Sequence, residues 1–242
     1  MIFAQPRQIG FYDLDAFGAV KLTALLKYMN EASWQQAEEL GCGIETTFEI
    51  GLAFIIQRMG VRILQLPTVN QQVIVRTWPA EMTRSAFKRN GEIVDTDGKK
   101  LVEWESLWVL IDINERKIKR PSAFPIEFPL AGKMGVTIEA NKIVATDNQK
   151  PAATQTHTVQ FSEMDLNHHM NNAIYGDLIS NVLANTELPK INQWQAVQFN
   201  YLNEAKLNEV VTTNCAQAGN KLQINGNTSE KAVFIAEITT EG

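Results

Sequence analysis

One pattern of segments occurs twice in this chain, and the repeat restricts the possible folds more than any other feature. FYDLDAFGA at residues 11–19 lies over FSEMDLNHH at residues 161–169, at a constant spacing of 150 positions. A second match places PTVNQQVIVRT over EAKLNEVVTTN and pairs Pro67 with Glu204 and Val73 with Val210. Identities are few but the pattern is kept, so the sequence predicts one supersecondary unit used in tandem.

Each copy consists of a predicted helix followed by predicted strands. From Lys21 to Leu40 the apolar residues largely recur at spacings of three and four, and Gly41 then ends the helix. Residues 54–112 hold β-branched and aromatic runs separated by the turn pairs NG and DG, which indicates antiparallel strands. The second copy repeats this order, with a strand at HTVQF, a helix from about Asn172, and strand-like runs after it.

These elements predict an α+β fold in which each antiparallel sheet wraps a long helix. With 242 residues, 45% of them hydrophobic, the chain is large enough for two such units. Three prolines and two glycines in PSAFPIEFPLAGKMG mark a connecting segment. The expected domains are residues 1–125 and 153–242, joined by a linker at 126–152.

Composition limits the possible function classes. The net charge of −5 argues against a nucleic-acid partner, and no apolar run approaches the roughly 20 residues of a membrane span. The two cysteines fit no disulfide framework or metal-ligand spacing, so we expect a reducing, cytoplasmic location. Residues 58–120 hold 12 Lys or Arg against 8 Asp or Glu, which indicates either a solvated loop face or a surface for an acidic partner.

The densest polar cluster is DLNHHMNN, residues 165–172, where the second helix begins. Asp165 and His169 lie on one face whether this segment is extended or helical, so the carboxylate can orient the imidazole for acid–base work. The N–H groups at the start of a helix suit an oxygen that gains negative charge during a reaction. The cluster therefore predicts an acid–base group beside an oxyanion site.

Two other interpretations of this cluster remain open from the residues alone. Asp165, Asn167 and Asn171 are residue types that cap helices and form turns. Asp165 with His168 and His169 would make a metal site, although adjacent histidines point apart and no further strong ligand recurs at helical spacing.

A comparison of the two copies bears on the capping interpretation. The first copy has Phe17 and Ala19 at the positions of Asn167 and His169. Capping is needed in both copies, so capping alone does not explain why the polar set occurs in only one. The comparison indicates that one copy binds while the other reacts.

Several separated segments resemble the acyl-ACP thioesterase family of plants and bacteria, over nearly the whole chain. MDLNHHMNNAIYGDLISN is similar to the family's catalytic D-x-N-x-H-x-x-N segment, and FNYLNEA is similar to the strand that brings its catalytic glutamate. RMGVRILQLPTVNQQVIVRTW and WVLIDINERKIKRPS resemble segments of its N-terminal half. The resemblance implies a tandem double hotdog fold, with an N-terminal copy that binds the acyl chain and is catalytically silent.

The resemblance also implies catalytic roles for Asp165, Asn167, His169 and Glu204. Glu204 would be the general base that deprotonates a water held with Asn167, while His169, oriented by Asp165, would stabilise the oxyanion. Many plant members carry a cysteine directly after this glutamate, where this chain has Ala205, so a covalent route through that position is absent.

No substrate-lining residue, metal or cofactor is assigned from the sequence. Trp34, Phe54 and Met59 are candidates either for an acyl tunnel or for ordinary core packing.

The resemblance implies acyl carrier protein (ACP) as the partner, which is acidic and would suit the basic excess at 58–120. The tandem copies are expected to pair with each other, and a homodimer is an alternative. An acyl-CoA thioesterase, a hotdog dehydratase that leaves the thioester intact, and an acyl-binding module are the competing functions on the same fold.

Overall fold

The chain forms two compact units. A computed structural model describes residues 1–145, 150–184 and 186–241. The first unit contains Met1–Ile9 and Tyr28–Ala140, and the second contains Gly10–Lys27 and Asn141–Gly242. The division at Ala140 lies within the expected linker of 126–152. Gly10–Lys27, which includes the start of the first helix, belongs to the second unit and not to the expected domain 1–125.

The first half of the chain contains a long helix and an antiparallel sheet. Its elements are β1 (Phe3–Gln8), α1 (Leu22–Glu39), α2 (Ile44–Glu49), β2 (Leu52–Ile63), β3 (Gln72–Met82), β4 (Phe87–Asp95), β5 (Lys100–Asp112) and β6 (Lys117–Lys119). The strands are hydrogen-bonded in the order β1-β3-β4-β5-β2, all antiparallel, and β6 pairs with β5.

The second half repeats this topology. Its elements are β7 (Ala153–Thr158), α3 (Tyr175–Ala184), β8 (Trp194–Tyr201), β9 (Val210–Ala218), β10 (Lys221–Asn227) and β11 (Ala232–Thr240). The strand order β7-β9-β10-β11-β8 matches that of the first sheet, strand for strand. The predicted α+β tandem hotdog is confirmed.

Both predicted helices are present. Helix α1 spans Leu22–Glu39, and its apolar positions, including Leu25 and Met29, are fully buried. Gly41 follows with a φ of 71°, the left-handed conformation in which glycine commonly ends helices. In the second copy a 3₁₀ turn at Asn172–Ile174 leads into α3, which packs against β7 and β9.

The prediction of a strand at HTVQF is wrong in its position. The strand is β7, which begins at Ala153, directly after the expected linker, and ends at Thr158, so it shares only two residues with HTVQF. Its sequence, ATQTHT, has no apolar run because β7 lies at the edge of the sheet with most of its side chains exposed. Main-chain pairing with β9 forms this strand, and hydropathy does not detect such a strand.

The predicted register of the repeat is wrong by one position in the strands. Arg7 pairs with Val73 in the first sheet, and His157 pairs with Val211 in the second. Val73 therefore corresponds to Val211 and not to Val210. The turn before these strands supports the same correspondence, because Asn70 and Asn208 occupy matching positions and both have a positive φ, of 63° and 67°.

The connecting segment, residues 121–145, begins in the first unit and ends in the second. It contains no regular strand, and no helix longer than one 3₁₀ turn, among its described residues. In the first unit, the buried carboxylate of Glu103 accepts hydrogen bonds from Thr137 N–H at 3.1 Å, Thr137 Oγ1 at 2.6 Å and Ile138 N–H at 3.2 Å. Glu105, also buried, accepts from Ala140 N–H at 3.1 Å. In the second unit, Asn200 accepts from Ile143 N–H at 2.8 Å. Side chains of the sheets therefore satisfy the main chain of this segment.

Some lysines at 58–120 form ion pairs with carboxylates of the same stretch. Lys100 contacts Glu103 at 2.9 Å and Glu92 at 3.5 Å, and Lys119 contacts Asp112 at 3.2 Å. These two lysines are therefore paired with carboxylates of their own sheet.

The candidate tunnel residues lie in different environments. Met59 is buried, and Phe54 packs edge to face against Phe87 and Phe124 at centroid distances of 5.3 and 4.9 Å. Trp34 is 46% exposed. Across the described ranges, no helix combines the length and the apolar character needed to cross a membrane.

We expect Glu103→Gln to lower the free energy of unfolding by about 1.5–3 kcal/mol near neutral pH, because buried N–H groups lose a charged acceptor. Burial alone would raise the pKa of this carboxyl, but hydrogen bonds from Thr137 and Lys100 outweigh it and hold the pKa below 4.5. A carboxyl that is more acidic in the folded chain stabilises the fold above its unfolded pKa, and this contribution disappears as the pH falls through the lower folded pKa. Urea unfolding at decreasing pH should therefore show the difference from wild type shrinking in acid.

Glu92→Gln is the matched control, since Glu92 also contacts Lys100 but does not bind the connecting segment. The free energy of unfolding of this variant should fall by no more than about 1 kcal/mol, as for other partly exposed ion pairs. An equal loss in both variants would assign the effect to the lysine pair and not to the connecting segment.

Candidate active site

The predicted polar cluster forms a tight loop between two 3₁₀ turns of the second unit. The first turn is Phe161–Glu163, and an isolated bridge between Met164 and Met170 closes the loop. Asp165 Oδ1 accepts hydrogen bonds from the N–H groups of Asn167 at 2.8 Å and His169 at 3.4 Å. The segment is therefore neither extended nor helical, and Asp165 contacts the loop backbone.

Residues 15–19 form the same loop. Asp15 Oδ1 accepts from the N–H groups of Phe17 at 2.8 Å and Ala19 at 2.9 Å. Gly18 has a φ of 79°, and His168 at the matching position has a φ of 59°. The capping interpretation therefore accounts for the aspartate in both copies, but it does not account for His169.

The side chain of His169 meets Glu204. His169 Nε2 lies 2.8 Å from Glu204 Oε2, and Lys206 Nζ lies 3.4 Å from Glu204 Oε1. The imidazole and carboxylate are 30% and 24% exposed, so the pair is partly buried yet open to solvent. With Glu204 ionised, Nε2 carries the proton and its N–H group donates a hydrogen bond to the carboxylate.

A main-chain hydrogen bond brings these two residues together. Met170 N–H donates to the carbonyl of Ala205 at 2.8 Å, and each of these residues directly follows one member of the pair. The Glu204 loop is fixed in turn to β11, because the N–H groups of Leu202 and Asn203 both donate to the carbonyl of Val233. Hydrogen bonds therefore hold the backbone of both loops in place next to His169 and Glu204.

The predicted oxyanion site at the start of the helix is not supported. Asn171 N–H donates to the carbonyl of Glu163, Ala173 N–H to Asn171 Oδ1, and Ile174 N–H to the carbonyl of Asn171. These amides are already satisfied within the protein. Asn167 is exposed on the loop.

The residues at the matching positions of the first copy are apolar. The register of the two turns places Leu66 at the position of Glu204, because the N–H groups of Leu64 and Gln65 bind the carbonyl of Leu101 as those of Leu202 and Asn203 bind that of Val233. Phe17 and Ala19 stand in place of Asn167 and His169. The pairing of Pro67 with Glu204 expected from the sequence is therefore wrong.

Tyr175 packs beneath the site and was not identified from the sequence as a site residue. Its ring lies 5.7 Å from that of Tyr201 and 4.9 Å from that of Phe234. Burial raises the pKa of Tyr175 far above its ordinary value, and the charge of Asp165 adds to this. Burial and the nearby charge therefore favour the neutral phenol.

Lys206 was also missed, although its position two residues after Glu204 was a usable signal. Among the described residues, no group of three His, Cys, Asp or Glu side chains is placed to hold a metal ion.

The fold and the site together define a tandem hotdog protein whose C-terminal copy carries the His169–Glu204 pair. The model of the acyl-ACP thioesterase N-terminal domain matches residues 1–122, and that of the C-terminal domain matches residues 146–241. The chain belongs to the acyl-ACP thioesterase family.

Curated relatives agree with this assignment. The palmitoyl-acyl carrier protein thioesterase of Arabidopsis thaliana is 23% identical over 192 residues, covering 72% of this chain and 45% of the relative. That of Gossypium hirsutum is 25% identical over 206 residues, covering 78% and 48%. Both are described as chloroplastic. The chain spans about half the length of the curated relatives it matches.

Solved structures share the fold over the whole chain. An acyl-ACP thioesterase from Bacteroides thetaiotaomicron superposes with a TM-score of 0.82 at 21% identity, covering 99% of this chain and 98% of that one. The 12:0-ACP thioesterase from Umbellularia californica superposes with a TM-score of 0.80 at 18% identity, covering 99% and 97%. At these identities the likeness establishes the fold.

We expect Asp165→Ala to lower the free energy of unfolding by about 0.5–2 kcal/mol, because it removes the acceptor that holds the loop N–H groups. Asp165→Asn keeps an oxygen at that position and should retain most of the stability. Urea unfolding measures both. Asp15→Ala is the matched control in the first copy and should cost a similar amount. A loss in Asp165→Asn as large as in Asp165→Ala would mean that charge, and not the acceptor oxygen, holds the loop.

Proposed function

We propose that this chain hydrolyses fatty acyl-ACP thioesters to a free fatty acid and ACP. Its membership of the family supports the reaction class. The observation that carries the proposal is the 2.8 Å contact between His169 and Glu204, at positions where the first copy has apolar residues. A general base next to a hydrogen-bond donor is what attack of water on a thioester requires.

In the proposed mechanism Glu204 is the general base. It takes a proton from a water molecule as the water oxygen attacks the thioester carbon. The carbonyl oxygen gains negative charge. As Glu204 takes up the proton it becomes a weaker acceptor for His169 Nε2–H, which then donates its hydrogen bond to this oxygen instead. When the tetrahedral intermediate collapses, the C–S bond breaks, and the leaving sulfur takes the proton that Glu204 received. The products are the fatty acid and the carrier thiol.

Asp165 and Asn167 have supporting roles in this proposal. Asp165 orients His169 through the loop backbone, since its Oδ1 accepts from the His169 N–H group. Asn167 is exposed on the same loop and is proposed to hold the attacking water. The N-terminal copy, with apolar residues at the matching positions, is proposed to bind the acyl chain and to be catalytically silent.

We propose ACP as the partner and the cytoplasm as the location. Both cysteines are free and buried, which fits a reducing compartment. Lys100 and Lys119 pair with acidic residues of the same stretch, 58–120, which its count of 12 basic against 8 acidic residues already includes, so the positive excess for an acidic carrier is unchanged. Sedimentation of the free protein would distinguish internal pairing of the two copies from a homodimer.

Glu204→Gln should reduce kcat by about 10²–10⁴-fold with the fold intact, because a general base is lost. His169→Ala should reduce kcat by a similar factor, because the hydrogen-bond donor to the oxyanion is lost. Release of free thiol from a series of acyl-ACPs, with circular dichroism for folding, measures both. Glu237→Gln is the control, since Glu237 pairs with Lys221 on neighbouring strands and does not contact the pair. Activity in Glu204→Gln equal to that of the control would remove the proposed mechanism.

The carrier is tested by offering one acyl group on ACP and on coenzyme A. We expect the higher kcat/KM on acyl-ACP, and the advantage should decrease as salt rises because charge steering of an acidic partner is screened. Preference for coenzyme A would overturn the carrier assignment. Dehydration of a β-hydroxyacyl thioester without thiol release, or acyl binding without turnover, would overturn hydrolysis.

A further inference from the structure

A second histidine–carboxylate pair lies next to the site, outside the proposed chemistry. His157 Nε2, on strand β7, lies 2.8 Å from Glu163 Oε2. The side chains are 28% and 18% exposed, so the pair is more sheltered than an ordinary surface contact. Charge-assisted hydrogen bonds in such settings are about twice as strong as neutral ones.

Glu163 is tied to both ends of the loop that carries His169. Its carboxylate oxygen Oε2 also accepts the N–H group of Gln160 at 2.8 Å, which closes the 3₁₀ turn before the loop. Its carbonyl accepts the N–H group of Asn171 at 2.8 Å, where the loop ends. A shift of Glu163 would therefore displace the start and the end of the loop together.

His157 connects this carboxylate to the sheet. Its strand is paired with β9, where His157 lies opposite Val211. The imidazole also lines a shallow depression together with Gln155, Leu178, Asn181 and Thr213. His157 is thus held by an ordered strand on one side and contacts Glu163 on the other.

The first copy keeps the same frame with different side chains. Asp13 takes the position of Glu163: its carboxylate accepts Gly10 N–H at 2.7 Å, and its carbonyl accepts Lys21 N–H at 2.8 Å. The position of His157 is taken by Arg7, which has the same register opposite Val73. An arginine is therefore compatible with this strand position.

We propose that His157 is a positioning residue for the reaction, holding Glu163 and, through it, the loop that presents His169 to Glu204. The proposal rests on the proposed hydrolysis for its kinetic consequence. Its structural consequence, an ordered loop at residues 164–171, does not depend on turnover. His157 does not contact the reacting atoms.

Loss of this contact should act on the chemical step. His169 and Glu204 remain present in a His157 variant, but the loop that carries His169 is less well fixed. Misplacement of a catalytic group by about 1 Å can cost about 10²-fold in rate. We expect His157→Ala to lower kcat by about 5- to 50-fold while KM changes by less than about 2-fold. Amide hydrogen exchange of the peptide 164–171 should become about 10-fold faster.

Three further variants make the test specific. His157→Arg carries the residue type of the first copy and should restore kcat to within about 3-fold of wild type, because arginine pairs well with carboxylate. Glu163→Gln removes the acceptor charge and should resemble His157→Ala, and the double variant should be no slower than either single one. Gln155→Ala is the matched control on the same strand and depression, and its kcat and loop exchange should stay at wild-type values.

The outcomes separate the two proposals. If the wild type releases no thiol, the proposed hydrolysis fails, and unchanged loop exchange in His157→Ala would then overturn the positioning role as well. A rise in KM with kcat unchanged would assign His157 to substrate binding and overturn the proposal. So would independent, additive losses in the double variant, or no rescue by arginine. If His157→Ala does not fold, Glu163→Gln provides the same kinetic and exchange measurements.

Discussion

One main-chain hydrogen bond, from Met170 N–H to the Ala205 carbonyl, is the contact on which the candidate site depends. His169 and Glu204 each directly precede one of the bonded residues, so the bond brings two loops distant in sequence to a fixed separation. The elements around it stabilise these two backbones: Asp165 and Glu163 hold the first loop, and β11 holds the second. Because main-chain bonds do not depend on side-chain identity, the frame can be kept while the chemistry on it changes.

The two copies illustrate this separation of frame and chemistry. Asp15 and Asp165 accept the same pair of loop N–H groups, and the left-handed residue of the loop is Gly18 in one copy and His168 in the other. The side chains at three matched positions nevertheless differ completely: Phe17, Ala19 and Leu66 in the first copy, and Asn167, His169 and Glu204 in the second. The first copy therefore has no acid–base groups at these positions.

Features governed by local periodicity were predicted well. The helix expected from Lys21 to Leu40 spans Leu22–Glu39, since burying an apolar stripe requires three-and-four spacing. Strand β7 was misplaced, because an exposed edge strand depends on main-chain pairing and has no hydrophobic signal. The strand register was missed by one position, because weakly matching side chains do not specify which main-chain groups pair. The oxyanion site expected at the start of the second helix is not supported, because the N–H groups there already donate hydrogen bonds to the Asn171 side chain and to the Glu163 carbonyl.

The sequence by itself determined the tandem α+β architecture, the position of the polar cluster and the absence of that cluster from the first copy, because these follow from patterning and from residue identity at repeated positions. It also singled out Glu204, but only through a family resemblance. The tertiary structure decided that His169 contacts Glu204, that Asp165 binds the loop backbone, and that a second pair, His157 with Glu163, lies behind the loop. These contacts join residues on separate loops and strands, and their distances are set by sheet pairing and main-chain bonds that no local pattern encodes.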